Sequence, residues 1–357
     1  MRWGVLSTGT RAAWLHLLGG GHPNGMHISP GGFLDSTAPV PIDRPFTTAL
    51  ARAHGVNDRR LRVWVASGLL INPLRGVFHA AQLPDGPDLR ISCLLLVVPP
   101  TAVVTGRTAG WVYGAPMVLA PGDHRVIPRV SMHLAPGNRL RNALTVSGER
   151  TFLPHEVVER EGVLVTSKLR TTVDLGMGLP RGQAFAAMCA MSKVADFSRE
   201  ELRFEIREHG RFAGYRGVRQ ARELEPLVDP GYGSSAECVL GLAWHDEPGM
   251  PPLTLQHRVQ GPRGSFYLDL SAPALMYAAE YRGARWHGEE RTEPDAQRLA
   301  WLVEREEWII DVFDAEDVYG AGRDPGLRLR AGVERARRRI GALAWKGQAR
   351  DGREGHG

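Results

Sequence analysis

Residues Phe266–Arg282 read FYLDLSAPALMYAAEYR. Two apolar runs, Phe266–Leu270 and Leu275–Tyr281, flank a turn at Ala272-Pro273, and this pattern predicts a pair of strands. Antiparallel pairing about that turn sets Asp269 nearly opposite Glu280. Two carboxylates at the ends of buried strands are costly unless they are paired or bound to a cation. Oxygen donors of this kind suit Mg²⁺ or Mn²⁺, so Asp269 and Glu280 are the candidate metal ligands.

Outward from this pair, Ser234 or Ser235 is placed to cap a helix running through Glu237, Leu240 and Trp244. The stretch Glu225–Ser235, with Pro226, Pro230, Gly231 and Gly233, is the best linker in the chain. Downstream come Gly283, Trp286 and His287, then Asp295 and Arg298, with Trp308 opening a last strand. Asp314, Glu316 and Asp317 form an acidic cluster better read as the N-cap and first turn of a helix, where acids oppose the dipole.

The set Glu237, Asp269 and Glu280-Tyr281-Arg282, followed by E-Y-x-G-x-x-x-H and D-x-x-R-x-x-x-L, resembles the PD-(D/E)XK nuclease superfamily, in the branch of the very-short-patch repair endonucleases. The resemblance implies a restriction-endonuclease-like α/β/α domain over 234–320 that hydrolyses DNA phosphodiester bonds. It implies catalytic roles for Asp269, Glu280, Glu237, His287 and Arg282, with Arg285, Asp295 and Arg298 in support. Glu237 would orient the water shell of the metal, and His287 would exchange a proton with water or leaving group. Arg282 and Arg285 would stabilise charge on the phosphoryl oxygens. Arg282 stands where the motif carries lysine; it serves as an electrostatic clamp and not as a base, because guanidinium keeps its proton. Asp311 stands in the last strand where relatives often carry arginine.

In the front half, Phe46–His54 is a short helix candidate, Gly55 supplies a turn, and Asn57 caps a second helix with Leu61 and Val65 on one face. Leu69-Leu70-Ile71, a turn at Asn72-Pro73 and Gly76-Val77-Phe78 read as a hairpin. Helix, turn, basic helix and hairpin over 43–86 predict a winged helix-turn-helix, with Arg59, Arg60, Arg62 and Arg75 directed at DNA. The region 87–225 is expected to be a mixed α/β middle domain. In it Arg90–Val98, His124–Leu134, Leu144–Glu149 and Gly162–Thr166 are strands. Ala102–Tyr113, a segment through Leu169, Val173 and Leu175, Arg181–Lys193 and Ser198–His209 are helices. The winged helix together with Val165-Thr-Ser-x-x-Arg170-Thr-x-x-Asp174-Leu resembles AbiEi-family antitoxins, which implies DNA and a cognate toxin protein as partners. Residues 1–42, rich in Gly, Pro and Ser, read as a flexible extension with Met26 a later candidate start, and 321–357 as a basic helix and tail.

With 43% hydrophobic and 23% charged residues, the chain has the composition of an ordinary globular protein of α/β (α+β) class. No run reaches the roughly 20 apolar residues of a membrane helix, and no signal peptide is evident, so a cytoplasmic location is expected. Cys93, Cys189 and Cys238 are too few and scattered for a disulfide framework or zinc site. The formal net charge of +5 is concentrated beyond Ala321, in an arginine-rich stretch able to neutralise phosphates. His155-Glu156 lacks the second histidine of a zincin, no G-x-x-x-x-G-K is present, and Gly19-Gly20-Gly21 is no phosphate cradle. Three functions remain open: a metal-dependent DNA endonuclease guided by the winged helix; a non-catalytic DNA-binding regulator, an antitoxin of type IV kind carrying a degenerate nuclease fold; and a module that mainly binds protein partners, with little DNA affinity.

Overall fold

The computed structural model describes residues 32–115, 129–138, 140, 142–209, 217–262, 264–283, 289–304 and 306–354, the backbone alone for 289–296 and 343–354. The chain is of mixed α and β class and divides into two compact units, Met1–Gly178 with Lys193–Arg222, and Leu179–Ser192 with Glu223–Gly357.

The first unit opens with β1 (Phe46–Thr47), α1 (Thr48–Ala53), α2 (Asp58–Ala66), β2 (Leu70–Leu74) and β3 (Val77–Ala80). Thr47 caps α1 by accepting from the Leu50 amide, and Asn57 caps α2 by accepting from the Arg60 amide, which satisfies N–H groups that a helix start leaves without partners. Gly55, at φ +78°, makes the tight turn between them. Leu61 and Trp64 are the buried residues of α2, so the core stripe runs through Trp64, with Val65 only half-buried. Two details of the expected hairpin are corrected. Phe46 opens a strand paired with Phe78 and not a helix. The turn falls at Arg75-Gly76, where Gly76 takes φ +78°. Asn72 and Pro73 lie inside β2, where the register is irregular and the Asn72 amide donates to the Leu74 carbonyl at 2.7 Å.

Next come α3 (Pro87–Leu95), β4 (Val103–Val104), α4 (Gly106–Val112), β5 (Val130–Leu134), β6 (Thr145–Glu149), β7 (Val157–Arg160), β8 (Val163–Thr166) and α5 (Lys168–Gly178). The strands form one mixed sheet in the order β6-β5-β4-β8-β7. The expected strand Arg90–Val98 is a helix: Pro87 opens α3, and Ile91 and Leu94, three apart, share its buried face. A continuous apolar run carries no period that separates a buried helix from a buried strand. Ala102–Tyr113, expected as helix throughout, begins as β4 and turns helical only from Gly106. Residues 124–128 of the expected strand His124–Leu134 lie outside the described residues.

The remaining helices of this part are α6 (Arg181–Ser192), α7 (Arg199–His209) and α8 (Val218–Leu224). Although α6 lies within 87–225, it belongs to the second unit. There it packs on α9 (Ser235–Asp246), with Phe185 edge-on to Tyr232 at 5.5 Å.

The second unit continues through β9 (Thr254–Gly261), β10 (Gly264–Ala272), β11 (Tyr277–Tyr281), α10 (Glu289–Glu304), β12 (Ile309–Phe313), α11 (Ala315–Tyr319) and α12 (Pro325–Glu354). Its sheet runs β12-β11-β10-β9, an antiparallel meander to which β12 adds in parallel beside β11. The second hairpin strand starts at Tyr277 and not Leu275, because Pro273–Leu275 form a 3₁₀ turn closed by Met276 at φ +52°. One apolar cluster joins Leu240 and Trp244 of α9 to Leu270, Phe313, Leu329 and Val333. A separate one joins Leu268 and Ala278 to Leu302 and Trp308. The sheet is therefore covered by helices on both faces. Asp314 caps α11 in a reciprocal box with Asp317, the role read from sequence. All three cysteines are buried thiols, and no helix among the described residues is long and apolar enough to cross a membrane.

Gly241 of α9 lies directly under the Tyr232 ring, where a Cβ would overlap the ring atoms. Gly241→Ala gains about 1 kcal/mol of helix propensity but loses roughly 1–3 kcal/mol to overpacking. Chemical denaturation is expected to show net destabilisation, while Gly178→Ala, with open space around its Cβ, is neutral or mildly stabilising.

Candidate functional site

The β10–β11 register pairs Leu270 with Ala279, and one step further Asp269 stands across from Glu280, as the turn at Ala272-Pro273 requires. Glu237 is contributed by the first turn of α9. Ser234 caps that helix by accepting from the Glu237 amide at 3.2 Å, and the Glu237 carboxylate accepts from the Gly233 amide at 2.6 Å. Glu237 and Glu280 are both buried, each 7% exposed.

Each oxygen of Asp269 has its own donor. The Tyr281 amide donates to Oδ2 at 3.2 Å, and the Gln256 side-chain amide donates to Oδ1 at 3.3 Å. Burial, and after it the negative charge of Glu237, push the Asp269 carboxyl up to about 6, against the pull of these two donors. Burial and like charge therefore both oppose ionisation of Asp269, while its two hydrogen-bond donors and the positive charge of Arg298 favour it.

Glu280 is differently placed. Arg298 of α10 donates to both of its oxygens, at 3.0 Å to Oε1 and more closely to Oε2. Arg298 therefore belongs to the site as a resident cation, as the sequence pattern implied only in outline. Arg282 is exposed, and its backbone amide donates to the Phe313 carbonyl at 2.7 Å. Asp295 lies on α10 with its side chain outside the described residues, and His287 and Arg285 also lie outside them. Gln256 was not singled out by sequence reasoning. Its signal is faint there: a polar residue in the mixed stretch Leu255–Val259, which carries no clear alternation.

The four candidate DNA-binding arginines are brought to one part of the first unit. Arg59 and Arg62 are exposed on α2, Arg75 is exposed at the β2–β3 turn, and Arg60 is stacked over Trp64 at 4.9 Å. Asp58 is held by Arg52 at 2.6 Å.

No protein-family model and no curated protein matches the chain.

Elsewhere in the first unit, the Val165–Leu175 motif forms a buried polar network. Arg170, 3% exposed, pairs with Glu156 and with Asp174 at 3.0 Å, while Arg150 reaches Asp174 at 3.2 Å. The hydroxyls of Thr166 and Thr171 meet at 2.7 Å. Glu156, Glu205 and His209 bring ligand atoms within 4.8 Å of one another and could hold a metal ion. Arg170 already supplies a positive charge to Glu156, so this group serves first as an ionic link between the 3₁₀ turn ahead of β7 and helices α5 and α7. A cleft of about 630 Å³ nearby is lined by Tyr113, Arg160, Lys168, Asp196 and Glu201 among others; its mixed charges converge on no single ligand type.

The raised Asp269 carboxyl has a consequence for stability. The native state keeps its proton up to about pH 6, whereas the unfolded chain releases it near about 3.9. Between those values only the native state is protonated, so stability falls as pH rises through this window and stays low above it. Denaturant titrations from pH 4 to 7 are expected to show Asp269→Asn losing this dependence. At pH 7 the variant should be more stable than the native protein, on the order of a few kcal/mol.

Proposed function

We propose that the chain is a metal-dependent DNA endonuclease, its second unit a restriction-endonuclease-like α/β/α domain and its 43–86 segment a winged helix-turn-helix that positions DNA. The observation that carries this reading is the buried Asp269 beside the charge of Glu237, with its carboxyl raised to about 6. The order helix, three-stranded meander, helix, parallel strand, with acids at Glu237, Asp269 and Glu280, supports it.

The donor set fits Mg²⁺ or Mn²⁺: hard carboxylate oxygens carrying excess negative charge in a partly dehydrated place. Asp269, backed by Glu237, would hold the ion, and Glu280 would join by yielding part of its pairing with Arg298. The bound ion would polarise the scissile phosphate and lower the pKa of an attacking water. Asp269 is kept in one orientation by donors from both neighbouring strands. Arg298 engages both oxygens of Glu280, and Arg282, exposed just beyond β11, would meet a phosphate oxygen. Arg59, Arg62 and Arg75 offer an exposed cationic surface for the DNA backbone.

A second reading is favoured by the Arg298–Glu280 pair, which engages both oxygens of one expected ligand. In that reading the protein is a DNA-binding regulator or antitoxin, cytoplasmic and partnered by a toxin, and the second unit is a scaffold. Fold alone does not choose between them, because catalysis depends on the site.

Incubation of supercoiled plasmid with the full chain separates the two. The nuclease predicts nicking with Mg²⁺ or Mn²⁺ that EDTA and Asp269→Ala both abolish. Cleavage indifferent to Asp269→Ala would belong to a contaminant, and promoter-specific binding in EDTA without cleavage would support the regulator.

A further inference from the structure

Four non-glycine residues among those described have left-handed backbone: Glu161, Gln256, Met276 and Glu307. Glu161 falls in the turn between β7 and β8, Met276 between the 3₁₀ turn and β11, and Glu307 ahead of β12. Turns commonly ask for this conformation. Gln256 alone sits inside a strand, at φ +49° within β9.

Its place in the sheet is specific. The β9–β10 ladder pairs Leu255 with Leu270 and His257 with Leu268, so Gln256 lies opposite Asp269. The register is the same on both sides of that position, yet the pair itself is missing from the ladder. The strand leaves its extended path for one residue and then resumes it. A kink that served the backbone alone would be met without strain by glycine. Here the position carries a long side chain whose amide reaches the Asp269 carboxylate at 3.3 Å. Strained non-glycine backbone of this kind persists where the surroundings determine it, most often at functional sites.

We infer that Gln256 is a positioning residue for the cation-binding carboxylate: its kinked backbone aims the side-chain amide at Oδ1 of Asp269, while the Tyr281 amide holds Oδ2. With one donor from β9 and one from β11, the carboxylate is held from both flanking strands. This role rests on reading Asp269 as a metal ligand.

The test measures Mn²⁺ binding to the full chain at pH 7, without DNA, from the paramagnetic resonance signal of the free hydrated ion. Gln256→Gly keeps the left-handed backbone and removes the amide, and Gln256→Met keeps the length without a donor. Both are expected to bind Mn²⁺ about tenfold more weakly, the size of one hydrogen bond to a charged group. Gln256→Gly should melt no lower than the native protein, since glycine relieves the strain. Binding by both variants equal to the native protein would overturn the role of Gln256 while leaving the metal site standing. Absence of Mn²⁺ binding by the native protein would overturn the metal site and the Gln256 role together.

Discussion

Burial of the Asp269 carboxylate, with the negative charge of Glu237 acting on it, is the constraint that the groups around it answer. Burial and like charge both oppose ionisation, and the sheet and helices meet that opposition with specific groups. The Tyr281 amide and the Gln256 side chain hold the two oxygens of Asp269. Glu237 occupies the first turn of α9, where its carboxylate accepts from Gly233 and faces the positive end of the helix dipole. Arg298 neutralises Glu280 from α10. A fold selected for stability alone would place apolar side chains at these positions, because well-packed apolar groups often serve better than buried charge. The fold nonetheless keeps Glu237 on α9, Asp269 on β10 and Glu280 on β11.

The arginine-rich composition has a structural use within the second unit. Asp311 accepts from Tyr277 at 3.0 Å and pairs with Arg335 of α12 at 2.7 Å. Arg328 pairs with Asp317 at 2.7 Å and stacks over Phe313 at 4.4 Å. Arg339 pairs with Glu307 at 2.6 Å. Much of the positive charge beyond Ala321 therefore ties α12 to its own unit. Pairs this exposed add little individually; their worth is in fixing where α12 lies.

Local chemistry made some elements readable in the sequence. Asn57, Ser234 and Asp314 are side chains whose capping role follows from their own hydroxyl, amide or carboxylate, and each caps a helix in the structure. The Ala272-Pro273 turn set Asp269 across from Glu280 because strand geometry leaves little freedom there. What escaped depended on long-range context. The apolar run after Arg90 folds as α3 since one helical face meets a core that no local pattern announces. Pro73 looked like a turn but is accommodated in an irregular strand, with Gly76 taking the turn. Strand β9 went unread because half-buried Gln256 and His257 and exposed Arg258 give no alternation, and with it went Gln256, whose importance comes wholly from a partner on another strand.

The most direct measurement is the stability of the native protein at pH 7 with and without Mn²⁺, by denaturant unfolding, beside Asp269→Asn. A ligand that binds only the native state stabilises it by RT ln(1 + [L]/Kd). The account predicts that Mn²⁺ raises the stability of the native protein and leaves Asp269→Asn unchanged. Equal Mn²⁺ effects on the two proteins, or none on the native one, would contradict it.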